Sequence, residues 1–178
     1  MRRLLVRVAL AFGAVACLPV RPTEHIGATP PPAPSAQPST PLVFELPSVD
    51  DRSVSAPAFR GKPAVLAFVV SDSLAGQAEA DILATLAQQK PEAARYAIVA
   101  VEPEERHELV EGFVRFFADK AHGQLFGAMA DKDMLLGQGP FVDVRDQTVI
   151  VLDRAGRVIL RETGVVSASD IARALATM

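Results

Sequence analysis

The chain has 178 residues, enough for one domain of ordinary size with a leader and a linker, and nearly half are apolar. Its formal charge is −3; setting aside Arg2, Arg3 and Arg7 at the start leaves 15 basic residues against 21 acidic ones. Such a chain, with no cluster of lysine and arginine to displace counterions, is not expected to bind nucleic acid, and one cysteine, Cys17, makes neither an intrachain disulfide nor a zinc site.

Residues 1–17, MRRLLVRVALAFGAVAC, run from a basic start through an apolar stretch to small residues. That is the layout of a secretory signal, and it falls short of the ~20 apolar residues of a permanent membrane helix. Ala14-Val15-Ala16-Cys17 resembles the lipobox of bacterial lipoproteins, with Ala14 where leucine is usual. The resemblance implies that the Cys17 thiol takes a diacylglyceryl group and becomes the new N-terminus, which anchors the protein in a membrane. Leu18 after the cysteine, in place of aspartate, implies the outer membrane. Ala14-x-Ala16 also suits an ordinary signal peptidase, so secretion to the periplasm without lipid is the alternative. Over residues 18–41 the composition turns to Pro, Ala, Ser and Thr, including Pro30-Pro31-Pro32. Proline removes amide donors and fixes φ, so this segment reads as an extended tether, with His25 as a solvated residue in it.

Globular patterning begins at Leu42 and defines a domain over 42–178. Val43 to Leu46 alternates like a half-buried strand, and Ser53 to Phe59 reads as a short edge strand. Ala64 to Val70 is a continuous apolar run, the pattern of a central strand covered on both faces. Ser71, Asp72 or Ser73 can cap the next helix, in which Ala75, Ala78, Ile82, Leu83 and Leu86 recur at helical spacing until Pro91 stops it. Tyr96 to Val101 is a second buried strand. Glu104 to Ala121 is a helix with Leu109, Val110, Phe113, Phe116 and Phe117 along one side, and Leu125 to Ala130 a short strand. Asp131 to Val144 reads as irregular. Thr148 to Leu152 and Arg157 to Thr163 form a hairpin about Gly156, and Ser167 or Ser169 caps a last helix, Asp170 to Ala176. Strands alternating with helices predict an α/β domain, a central mixed sheet with helices on both faces.

Three stretches carry a family resemblance over Phe44 to Leu175: FELPSVDDRSVSAPAFRGKPAVLAF, SDSLAGQAEADIL and TVIVLDRAGRVILRETG. They resemble the thioredoxin-like redoxins of the bacterial envelope, of the TlpA/ResA type, with peroxiredoxins and Sco proteins as more distant relatives. The resemblance implies a thioredoxin-like fold. It also implies that the two redox cysteines of that family fall on Ser73 and Gly76, the usual glutamate on Glu79, and the cis-proline facing the dithiol on Gln147. In a Sco register Gln147 stands on the metal-binding histidine, and in a peroxiredoxin register the peroxidatic cysteine falls near Gly76. Each register loses its chemistry. Disulfide exchange needs a thiolate to attack and a second sulfur to resolve, and Cys17 lies at the far end of the tether.

Other chemistry is poorly supported. Ser73 as a nucleophile needs a general base, whereas His107 and His122 lie on or beyond another helix. His107 with Glu104 or Glu111 could share a metal, but Glu104, Glu105, Glu108 and Glu111 read better as a solvated face. Asp131, Asp133, Asp143 and Asp146 lack calcium-loop spacing, and Gly137-Gln138-Gly139 follows no strand. The amides of Leu74, Ala75 and Gly76, at a helix N-terminus, are expected to offer a binding groove, with Gly76 admitting a partner backbone. The expectation is thus a lipid-anchored envelope module, without cofactor or metal, that binds an envelope protein through this groove or the helix face around Phe113. The alternative is a thiol-disulfide oxidoreductase or peroxiredoxin-like activity that depends on a partner's cysteines.

Overall fold

The structure, a computed structural model, describes residues 40–137, 141, 144 and 147–178. The leader with Cys17, the tether up to residue 39, and Gln138, Gly139, Asp143 and Asp146 lie outside the described residues.

The apolar run after Pro63 becomes β3 (Ala64–Val69), buried at every position. It pairs in parallel with β4 (Arg95–Val101), which pairs in parallel with β5 (Leu125–Ala130). On its other side β3 pairs antiparallel with β6 (Thr148–Leu152), and β6 with β7 (Val158–Thr163). The sheet order is β5-β4-β3-β6-β7. Alternate residues of each strand point to opposite faces, so each face takes its own set of covering elements.

On one face lie α2 (Leu74–Gln89), α3 (His107–Lys120) and α5 (Ala168–Ala176), packing Leu83, Val110, Phe117 and Ile171 onto Val65, Ile98 and Val149. The other face is covered by a small antiparallel ribbon, β1 (Glu45–Leu46) with β2 (Val54–Ser55), and by α1 (Ala56–Phe59) and α4 (Lys132–Gly137). Here Phe44, Phe59, Leu135 and Phe141 meet Leu66, Phe68, Val99 and Ile150. The Phe141 ring touches those of Phe44 and Phe68, with centroids 5.5 and 5.1 Å away. Pro47 to Val49 runs along the free edge of β5, where the Val49 amide bonds the Gly127 carbonyl and the Met129 amide the Pro47 carbonyl. The edge is thereby covered. Helix α3 lies close on β5 because residue 127 is glycine: a Cβ there would stand 2.1 Å from Val114 Cγ1.

The mixed α/β sheet with helices on both faces is as expected, and three local readings are corrected. Ser53 to Phe59 is not one edge strand; after two residues of β2 the chain turns into α1, whose first turn accepts Pro57 without losing a needed amide. The stretch from Asp131 is not wholly irregular, since Asp131 Oδ1 accepts the Met134 amide at 2.6 Å and starts α4. In α3 the buried residues are Val110, Val114 and Phe117, while Leu109 and Phe116 face outward. A short 3-10 turn, Glu104–Arg106, precedes that helix.

Candidate functional site

The turn Ser71-Asp72-Ser73 carries the chain from the end of β3 into α2, and Ser73 is the N-cap. Its Oγ donates to the Val70 carbonyl at 3.0 Å and accepts from the Gly76 amide at 2.8 Å and from Gln147 Nε2 at 3.1 Å. One donated and two accepted bonds are the whole capacity of a hydroxyl. Ser73 therefore has no proton or lone pair left for nucleophilic work, and its partners include no base. Ser73 and Gln147, 74 residues apart in sequence, do meet in space.

Gly76 is buried, and its own chain already comes close to it. A Cβ at this position would lie 2.1 Å from the Val70 carbonyl oxygen and 2.8 Å from Ser73 Oγ. The backbone that comes close belongs to the chain itself. The Gly76 amide is also used by the cap, so of the three amides expected to form a groove this one points inward to Ser73. Leu74, by contrast, is 86% exposed.

Gln147 adopts a φ of +84°, an unusual conformation for a residue with a Cβ. Its carbonyl accepts the Gly164 amide at 2.9 Å, which draws the turn after β7 to the site. Two residues on, the Val166 amide donates to Glu79 Oε2 at 2.7 Å. Half-exposed Val165 lies between these two bonds. The beginnings of α2 and β6 and the segment before α5 are thus tied into one hydrogen-bonded surface, and Leu74 and Val165, next to these bonds in sequence, are exposed.

Beneath that surface lies Glu79, fully buried, with Oε1 lacking any hydrogen-bond partner. Burial pushes its carboxyl up to about 7, offset only partly by the Val166 amide. The family resemblance located this residue; its burial inside the core was not readable from helical spacing. Glu102, just past β4, was missed altogether. It is buried, and its Oε1 accepts from the Ser71 amide at 2.9 Å and from Ser71 Oγ at 2.8 Å. Arg106 joins the other oxygen of Glu102 at 2.9 Å and reaches Asp72 at 3.0 Å. The turn between β3 and α2 is pinned by this network. A glutamate directly after an apolar strand and before Pro103 was the available signal.

The remaining candidates do not converge. His107 Nδ1 is 4.0 Å from Glu104 Oε1, and Glu111 pairs with Arg115 instead. Among the described residues no group of three His, Cys, Asp or Glu side chains could hold a metal ion. None of the described helices is long and apolar enough to cross a membrane.

A mixed five-stranded sheet, a strand–turn–helix site at the end of β3, and a facing residue before β6 define a thioredoxin-like fold. No protein-family model and no curated protein matches the chain. Solved structures do. A secreted disulfide oxidoreductase of Mycobacterium tuberculosis, homologous to E. coli DsbE, is 16% identical with a TM-score of 0.57, over 76% of this chain and 96% of its own. The pneumococcal exposed lipoprotein thioredoxin Etrx1 of Streptococcus pneumoniae is 16% identical at a TM-score of 0.62, over 76% and 99%. StoA of Bacillus subtilis is 19% identical at 0.59, over 77% and 98%. The likeness is one of fold, and it is the fold implied by the sequence.

Proposed function

We propose that this chain is a lipid-anchored envelope protein whose thioredoxin-like domain binds a partner protein without redox chemistry. One observation carries the reading: where this fold places a dithiol and its facing residue, the chain has a hydroxyl and an amide that satisfy each other, Ser73 and Gln147. The Val70 carbonyl fills the volume that a side chain at residue 76 would need. What remains for a partner is the rim, where Leu74 and Val165 offer apolar area on a hydrogen-bonded frame that keeps its shape.

The address rests on the leader. Cys17 follows a basic and apolar segment with lipobox-like residues, and two proteins of similar fold are named as secreted and as an exposed lipoprotein. Labelling cells with radioactive palmitate should mark the wild-type chain and leave Cys17→Ser unmarked; equal labelling would remove the anchor from the account. For binding, Leu74→Glu places a charge on the rim at a side chain with little packing to lose. Capture of a partner from solubilised envelope should be lost in this variant while its thermal unfolding stays unchanged. Undiminished capture would move the interface elsewhere.

A further inference from the structure

Helix α3 has a face that the domain does not use. Leu109 (50% exposed), Gly112 and Phe116 (66% exposed) line up along its outside, with half-buried Phe113 beside them. At about 100° per residue these positions form one stripe two turns long. Gly112, at its centre, has open space all around the place of its Cβ. Glycine in an exposed helix interior weakens the helix relative to alanine, and the domain itself gives no reason for it. A second backbone lying across it does. The Phe116 ring stands edge-on to Phe117, with centroids 5.0 Å apart at 88°, so the outer face is set before anything docks.

The charges at the two ends of the stripe bear on what lies across it. Glu105 stands at the N-terminal end and Lys120 at the C-terminal end, whereas Arg106 is held by Glu102 and Asp72, Arg115 by Glu111, and exposed Asp119 lies beside Lys120. A second α3, turned antiparallel about the point between Gly112 and Phe113, sets Leu109 of one copy against Phe116 of the other. The same rotation sets Glu105 against Lys120. Lys120 also pairs with Asp81 of its own chain, and an ammonium group has donors enough for a second carboxylate. A parallel pairing would instead stack glutamates on glutamates. Opposed helix dipoles favour the same antiparallel sense.

We propose that this face of α3 binds a second copy of the chain, antiparallel across Gly112, as a two-fold symmetric contact. A single helix face covers less than the roughly 800 Å² per partner of a standard stable interface, so the association is weak and concentration-dependent.

The test uses the full chain in detergent, with Cys17→Ser so that only introduced thiols can pair. On oxidation, chains carrying Leu109→Cys mixed with chains carrying Phe116→Cys should give several-fold more disulfide-linked dimer than either chain alone. Adding Gly112→Leu to both should cut the yield to that of a control thiol on α5, Ser169→Cys, without lowering thermal stability. Equal yields from the mixture and from the single chains would overturn the antiparallel contact. A yield that Gly112→Leu leaves untouched would overturn the role of this face.

Discussion

Gly76 and Glu79, one helical turn apart, show how single residues set the limits of this site. Adding a methyl group at Gly76 drives it into the Val70 carbonyl at 2.1 Å. Gly76→Ala should therefore destabilise the domain by about 3 kcal/mol, the upper end of ordinary overpacking penalties, as read from urea unfolding. Restoring two thiols with Ser73→Cys and Gly76→Cys should meet the same obstacle and give a less stable domain. Glu79 acts through its proton. Buried, it holds that proton up to about pH 7, whereas an unfolded glutamate releases it near 4.5. Between these values unfolding releases a proton, so raising the pH favours the unfolded chain and the contribution of Glu79 to stability falls. The difference between Glu79→Gln and wild type should grow from pH 4.5 to pH 7, on the order of 3 kcal/mol in favour of the variant, and then level off. A difference that is flat with pH would show that Glu79 is already ionised in the folded protein.

At the scale of elements, the turn between β3 and α2 depends on a residue just past the neighbouring strand β4. Glu102 holds the amide and hydroxyl of Ser71 and the guanidinium of Arg106. Glu102→Ala strands a buried donor pair and should cost roughly 2–3 kcal/mol, with faster amide exchange at Ser71 to Ser73 than elsewhere in the sheet. A loss of stability without that local exchange would mean that the turn stands without its brace. What could be read in the sequence follows the same division. β3, β4 and β6 are continuous apolar runs buried on both faces, so their pattern alone reveals them. Helix α2 was marked at both ends by Ser73 and Pro91. The two-residue strands, α1 and α4 are too short to show a period, and tertiary contacts decide them. In α3 the five apolar residues form one continuous face of about 120°, so the pattern did not distinguish the inward Val110 and Phe117 from the outward Leu109 and Phe116. For the site, the family resemblance brought Ser73, Gly76 and Gln147 together. Only the coordinates show that Gly76 is filled by the chain's own carbonyl and that Glu102 supports the turn.

Over the described residues, the site at the end of β3 is a closed hydrogen-bonded surface, and the one cysteine, Cys17, lies outside them. On the function proposed above, the protein acts by where it is held and what it grips. The most direct measurement is capture of partners from detergent-solubilised envelope by the full chain, carried out in parallel with and without a thiol reductant. The account predicts the same partner in the same yield under both conditions, because no bond to sulfur holds it. Release of the partner by the reductant, as from a mixed disulfide, would contradict the account.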